Sequence, residues 1–154
     1  MARSVWWDKE DNSEKGTLEV KDIFNGKKIF DFPKSRDVIE KLIEMGTKKD
    51  DVILDFFAGS GTTGDAVIQL NAKDGGTRKY ILVQIPEEID STKNKVAFDF
   101  IKEELNAVPT IFEITKERIL RASKKTSEIV NIKITEKETE IKDLLNKLDF
   151  DDKE

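Results

Sequence analysis

Apolar residues recur along this chain at two spacings, one typical of helices and one typical of buried strands. Ser35 is placed to cap a helix whose apolar face repeats every three to four residues, and Gly46 is expected to end it. That face consists of Val38, Ile39, Leu42 and Ile43. Residues 51–57 and 80–83 are nearly continuous apolar runs instead, which favours strands buried on both faces of a parallel sheet.

A glycine-rich turn and a short helical pattern lie between the two apolar runs. The turn covers residues 59–64, the helix is expected to reach about Leu70, and a second turn follows at residues 74–76. Strand, helix and strand in so short a length form one βαβ unit, so the two strands are predicted to be parallel. The predicted fold class is therefore α/β.

The remainder of the chain carries further periodic segments. A helix is predicted around residues 96–105, and Thr110 and Glu113 have the spacing of a capping box that starts another. Residues 129–134 are a third strand candidate, because apolar and polar residues alternate from Val130 onward. A second capping box and an amphipathic helix are predicted within residues 135–154, which end in an acidic tail.

These patterns divide the chain into three segments. Residues 1–28 are polar and punctuated by glycine, and they are predicted to form an irregular lead-in. Residues 29–134 contain the predicted sheet and its helices, and residues 135–154 form the last helix and tail.

Composition narrows the chemistry that this chain can perform. Of 154 residues, 37% are hydrophobic and 38% charged, which suits one globular domain with one modest core. No apolar run approaches the roughly 20 residues that span a membrane, and residues 1–7 lack the apolar core of a signal peptide, so a cytoplasmic location without membrane contact is expected. Cysteine and histidine are absent, which excludes disulfides, thiolate metal sites and a histidine base. The net charge of −5 is unlike that of a free-standing DNA-binding domain.

The segment with most chemical information runs from residue 55 to 64 and reads DFFAGSGTTG. It lies where a predicted strand turns into a helix, and glycines there allow backbone N–H groups to approach a ligand closely. Ligands of open α/β sheets bind at the carboxyl ends of the strands. The spacing G-x-G-x-x-G fits a nicotinamide or flavin dinucleotide site, and a glycine turn without a ligand also fits. A P-loop is excluded, because no lysine follows the glycines.

The full string closely resembles motif I of the β-group amino-methylating DNA methyltransferases, D-x-F-x-G-S-G-T-T. The resemblance implies a Rossmann-like sheet in three αβα layers, present only in part, that binds S-adenosylmethionine. It implies that Asp55, Gly59 and Gly61 form the core of the cofactor site. It also implies close neighbours of the cofactor, namely Phe57, Ser60 and Thr62.

Other segments match the same family in the same order. Phe32-Pro33-Lys34 resembles motif X, with Ser35 in place of its second proline, which implies cofactor contacts from Pro33 and Lys34. Residues 71–87 resemble the next strand as it stands in modification subunits of type III restriction systems. Residues 117–122 resemble the following helix, and Trp6-Trp7-Asp8 resembles the stretch before motif X.

Many methyltransferases end that next strand with an acidic residue that holds the ribose hydroxyls. By register Gln84 occupies this place, and it can accept a hydrogen bond without a charge. Glu87, three residues later, is the second candidate for the same role.

The catalytic motif of the family, D/N-P-P-Y/F/W, is absent, because none of the three prolines is adjacent to another. The chain therefore resembles the last third of an adenine-N6 DNA methyltransferase and is expected to be inactive alone. Cytosine N4 is the alternative target of methylation. A non-catalytic interaction subunit is the alternative from a different class of function. The resemblance implies DNA and a restriction (Res) subunit as partners. The apolar run at residues 52–57 predicts a homodimer or complementation by the missing N-terminal part.

Overall fold

The computed structural model describes the backbone of residues 13–151 and the side chains of residues 14–148. The Trp6-Trp7-Asp8 stretch and the end of the acidic tail lie outside this range. In chain order the elements are α1 (Ser13–Ile23), α2 (Arg36–Gly46), β1 (Val52–Asp55), α3 (Thr62–Asp74), β2 (Lys79–Leu82), α4 (Lys95–Asp99), which continues as a π-helix (Phe100–Glu104), and α5 (Ile111–Asp151).

The predicted βαβ unit is confirmed. β1 and β2 form a two-stranded sheet and run parallel, with Leu54 opposite Ile81 and Asp55 opposite Leu82. α3 crosses between them, as the glycine turn and the following helical pattern predict. The carboxyl ends of both strands therefore lie at the same edge of the sheet.

Helices cover one face of this sheet. Ile53 and Tyr80 pack against a core cluster that α2 and α3 supply. The buried members of that cluster are Ile43, Ala66, Val67 and Leu70. Removing these apolar side chains from water is the main contribution to the stability of the βαβ unit.

The opposite face of the sheet is exposed and apolar. Val52 is 56% exposed, Leu54 49% and Ile81 53%, because no described residue covers them. The prediction that both strands are buried on both faces is therefore wrong for this chain. The described residues form an α/β fold with helices on one side of a small parallel sheet, and the complete three-layer arrangement stays a prediction.

A second core cluster joins α1 to the α4–π segment and α5. Its larger members include Phe24 and Phe100, whose rings meet edge to face with centroids 5.5 Å apart and an interplanar angle of 88°. The other buried members are Val20, Ile23, Ile29, Ala97, Ile101, Ile114 and Ala122. This cluster fixes α5 beside the turn that follows β1.

The prediction of an irregular lead-in is wrong for residues 13–23, which form α1. Val20, Ile23 and Phe24 follow one another at helical spacing and are all buried. Gly16 lies within the helix, and a larger residue does not fit there because a Cβ would lie 2.4 Å from the carbonyl oxygen of Pro33. This glycine permits close packing and does not break the helix.

The predicted third strand at residues 129–134 is also wrong, since these residues lie inside the 41-residue helix α5. No glycine or proline follows Pro109, so nothing in the sequence interrupts the helix. Thr135, predicted to cap a separate last helix, instead donates its hydroxyl to the carbonyl of Asn131 within α5. No helix of the described residues combines the length and apolar character that crossing a membrane requires.

Two predicted helix starts are confirmed in position. Ser35 immediately precedes α2 with an extended backbone, but its side chain makes no capping bond to α2. The carboxylate of Glu19, on α1, takes that place and accepts a hydrogen bond of 2.7 Å from the backbone N–H of Arg36. Thr110 immediately precedes α5, and its carbonyl accepts from the N–H of Glu113 at 3.2 Å.

Candidate functional site

A tight turn joins β1 to α3 at the carboxyl edge of the sheet. Gly59 and Gly61 have φ values of 53° and 79°, which side-chain-bearing residues rarely adopt. The turn is tied to β2, because the N–H of Ala58 donates to the carbonyl of Val83 at 3.1 Å. Gly61 also precedes the first residue of α3, so the positive end of the helix dipole lies at this turn.

Asp55 organises the start of the turn. One of its carboxylate oxygens accepts from the backbone N–H of Phe57 at 3.0 Å. The other accepts from the hydroxyl of Thr63, in the first turn of α3, at 2.5 Å. The aspartate therefore joins the last residue of the strand to the start of the helix and closes the turn around the glycines.

Gln84 and Thr115 hold the two backbone polar groups of Gly59. The N–H of Gly59 donates to Gln84 Oε1 at 2.7 Å, and its carbonyl accepts from the hydroxyl of Thr115 at 2.5 Å. Gln84 Nε2 in turn donates to the carbonyl of Ile85 at 3.0 Å. Both polar atoms of the Gln84 amide are thus engaged within the protein.

Ser60 and Thr62 direct their hydroxyls towards the interior of the protein. They lie 3.1 Å from each other, and both accept from the guanidinium of Arg118, at 3.0 Å and 2.9 Å. Arg118 was not among the predicted site residues, although its segment carried part of the family resemblance. The signal that could have identified it is a charged residue among the apolar residues of the inward face of a helix.

The segment that contains Pro33 and Lys34 lies against the turn. The carbonyl of Lys34 accepts from the hydroxyl of Thr62 at 3.3 Å. Pro33 is fully buried, whereas Lys34 is exposed. The structure therefore brings the two segments together that the sequence separates by 28 positions.

A cavity of about 340 Å³ opens beside this arrangement. Phe30 is one of its lining residues, and the ring of Phe30 is 3.6 Å from the position that a Cβ on Gly59 would take. Glu87, exposed after β2, also lines this cavity. Phe57 is another predicted site residue with a large free surface, since it is 87% exposed.

Positively and negatively charged side chains alternate on the interior side of the turn. Arg118 pairs with Asp65 at 2.9 Å, both fully buried, and Asp65 lies 4.0 Å from Arg36. Burial raises the pKa of Glu19, against the opposing effects of the Arg36 backbone N–H and the Arg36 charge. Among the described residues no group of three or more acidic side chains is arranged to hold a metal ion.

A family model for DNA methylases matches residues 2–95, which is more than half of the 154 residues. The chain belongs to the DNA methylase family. The matched range contains the turn, the Pro33–Lys34 segment, Gln84 and Glu87, whereas Thr115 and Arg118 lie beyond it.

Curated relatives refine this assignment. The Mod subunit of the type III restriction-modification enzyme EcoPI, from Escherichia phage P1, is 42% identical over 125 residues, which is 81% of this chain and 18% of the relative. The Mod subunit of the StyLTI enzyme from Salmonella typhimurium is 40% identical over 120 residues, 78% of this chain and 17% of the relative. The type II methyltransferase M.KpnI from Klebsiella pneumoniae is 45% identical over 96 residues, 62% of this chain and 22% of the relative.

The predicted resemblance to modification subunits of type III systems is thereby confirmed. The chain spans less than a quarter of the length of these relatives, between 17% and 22%. The individual cofactor contacts predicted for the site residues stay predictions.

Proposed function

We propose that this chain is the S-adenosylmethionine-binding part of a DNA adenine-N6 methyltransferase of a type III restriction-modification system. The observation that carries the proposal is the braced glycine turn at the carboxyl edge of a parallel sheet. Side chains from two elements, β1 and α5, and from the loop after β2 hold its backbone, namely Asp55, Gln84, Thr115 and Arg118. A turn fixed in this way presents a preformed surface to a ligand and loses little entropy on binding.

The residues present suit such a cofactor. Gly59 adds no side chain beside Phe30, which lines the cavity, and the start of α3 favours the carboxylate of the methionine end. Phe57 and Lys34 are exposed nearby and are proposed to contact the cofactor, with Pro33 positioning the latter. S-adenosylmethionine would supply the methyl group when bound.

The two candidates for the ribose contact differ in their surroundings. Gln84 uses its oxygen to hold the N–H of Gly59, so we propose that it shapes the turn. Glu87 is exposed in the cavity and carries a free carboxylate, which suits two ribose hydroxyls. Ser60 and Thr62 are proposed to support the cofactor from behind, through Arg118.

The proposed role is confined to cofactor binding because the D/N-P-P-Y/F/W motif is absent from this chain. We propose residues 29–134 as the cofactor-binding unit. The remaining part of the methyltransferase would complete the three-layer sheet, contact DNA and flip out the adenine. A Res subunit is the expected partner of the complete enzyme, and a cytoplasmic location follows from this assignment.

The exposed sheet face supports a requirement for another chain or segment. Leu54 and Ile81, which lie opposite each other, and the nearby Phe56 are exposed apolar residues, and the described part of the chain supplies two strands to this sheet. We propose that this face pairs with the missing part of the methyltransferase, and that a homodimer forms when that part is absent.

Calorimetric titration of the purified chain tests the proposed function. S-adenosylmethionine and S-adenosylhomocysteine are expected to bind saturably, and NAD is expected not to bind. Asp55→Ala should abolish binding because it removes both hydrogen bonds that close the turn. Asp50→Ala is the matched control, since Asp50 is an exposed aspartate close to the same strand. Binding of NAD in preference to S-adenosylmethionine would refute the proposal.

A further inference from the structure

Arg118 is a fully buried arginine that reaches from α5 to the back of the glycine turn. Its Nη1 donates to the hydroxyls of Ser60 at 3.0 Å and Thr62 at 2.9 Å, and it lies 3.4 Å from the carbonyl oxygen of Ser60. Hydrogen bonds from a charged donor are about twice as strong as those between neutral groups. One side chain of α5 therefore holds both the backbone and the side chains of the turn.

Asp65 supplies the counter-charge one turn further into α3. Its Oδ2 accepts from Arg118 Nε at 3.2 Å and from Nη2 at 2.9 Å. A buried ion pair adds little to stability compared with apolar residues of the same volume, because desolvation offsets most of the attraction. Packing alone therefore does not explain this arginine, whereas its planar fork of donors suits a role in fixing geometry.

The same contacts connect the turn to the Pro33–Lys34 segment. The hydroxyl of Thr62 accepts from Arg118 and donates to the carbonyl of Lys34 at 3.3 Å. Removing the guanidinium would release Thr62, and with it the bond that holds the two segments together. Both segments border the proposed cofactor site.

We propose that Arg118 is a positioning residue for the cofactor. It touches no ligand itself, and it sets the conformation of residues 59–62 from the interior side of the turn. This inference rests on the proposed function, because Arg118 can position the cofactor only if the turn binds it.

The test compares Arg118→Lys with a control of equal stability. Lysine keeps the positive charge opposite Asp65 but cannot bridge Asp65, Ser60 and Thr62 at once. Ile101→Val or Ile101→Ala, whichever matches the loss of Tm, lowers stability from the second core cluster without contacting the turn. If the lysine variant does not fold, Arg118→Met combined with Asp65→Asn removes both charges and leaves no unpaired buried ion.

Two measurements are made on each full-length chain under conditions where it is folded. The first is the affinity for S-adenosylmethionine by calorimetry, which we expect Arg118→Lys to lower about ten-fold or more while the Ile101 control keeps it. The second is the amide NMR signals of Gly59 and Gly61 without cofactor, which we expect to move in Arg118→Lys alone.

The outcomes separate this inference from the proposed function. If the wild-type chain binds the cofactor and Arg118→Lys binds it equally well, the positioning role is wrong and the proposed function stands. An equal loss of affinity in the Ile101 control would also overturn the positioning role. If the wild-type chain does not bind the cofactor, the proposed function fails, and this inference fails with it.

Discussion

The side-chain oxygen of Gln84 accepts a hydrogen bond of 2.7 Å from the backbone N–H of Gly59. This contact joins the end of β2 to the turn after β1, at the place where the family resemblance suggested a ribose contact. Gln84→Leu is expected to leave the Gly59 N–H without a partner, at a cost of about 1–3 kcal/mol in the conformation that binds the cofactor. The affinity for S-adenosylmethionine should fall roughly ten-fold, measured by calorimetry.

Gln84→Glu is the matched control for this prediction. The carboxylate keeps an acceptor for the Gly59 N–H. It loses the donor to the Ile85 carbonyl, but that bond is exposed and water can replace it, so affinity is expected to stay within a few-fold of the wild type. Wild-type affinity in Gln84→Leu would show that the turn keeps its conformation without this bond.

The exposed apolar face of the sheet predicts self-association. Leu54 and Ile81 lie opposite each other in the register and are about half exposed. Replacing both with threonine retains strand propensity while removing apolar surface, so the monomer fraction in analytical ultracentrifugation should rise. The free energy of unfolding of the monomer should change by no more than about 0.5 kcal/mol per site.

Ile53→Thr is the corresponding control on the same strand. Ile53 faces the core cluster of α2 and α3, because adjacent strand residues point to opposite faces. This variant is expected to lose stability without losing self-association. A wild-type chain that stays monomeric at high concentration would contradict the prediction.

Gly16→Ala tests the contact between α1 and the Pro33–Lys34 segment. The added Cβ would lie 2.4 Å from the Pro33 carbonyl oxygen and 2.8 Å from the Lys34 carbonyl carbon, so backbone must move. We expect a loss of about 1–3 kcal/mol in the free energy of unfolding, measured by urea denaturation. Because the carbonyl of Lys34 accepts from Thr62, the affinity for S-adenosylmethionine should fall as well.

Gly46→Ala is the control for that substitution. Gly46 is the last residue of α2, and a Cβ there would meet no atom within 4 Å. Alanine should therefore raise stability by roughly 0.5 kcal/mol through the loss of backbone freedom in the unfolded chain. A stabilising effect of Gly16→Ala would mean that α1 does not pack closely on the Pro33–Lys34 segment.

Features determined by local sequence were predictable. The parallel βαβ unit follows from two apolar runs, a glycine turn and a helical period, all within residues 51–83. The positive φ values of Gly59 and Gly61 belong to the same local pattern. The family resemblance could place the turn because its motif occupies one continuous block of sequence.

Features that depend on distant contacts were not predictable. Arg118 meets Asp65 and Ser60 across 53 and 58 positions of sequence, and no local period indicates such a pair. Gly16 has the local character of a helix breaker, and only the proximity of Pro33 explains it. Residues 130–134 alternate as a strand would, but none of the described residues forms a partner strand beside them and the helix continues through.

The pH dependence of stability provides a further prediction, centred on Glu19. Burial raises its pKa in the folded state above the ordinary 4.5, although Arg36 and Arg118 oppose this and Asp37 adds to it. The folded state therefore binds this proton more tightly than the unfolded state does. The protonated Glu19 side chain stabilises the folded state fully below about pH 4.5, and this contribution is lost as pH rises through the raised folded pKa.

Glu19→Gln retains an acceptor for the Arg36 N–H but cannot ionise. The free energy of unfolding of this variant, minus that of the wild type, should therefore increase as the pH is raised from about pH 4 to about pH 7. Urea denaturation at each pH measures this difference. Taking the difference cancels the contributions of Glu40, whose pKa burial also raises, and of Asp74, whose pKa the Arg78 hydrogen bond lowers. A difference that is constant or falls with rising pH would mean that the carboxylate of Glu19 is stabilised where it caps α2.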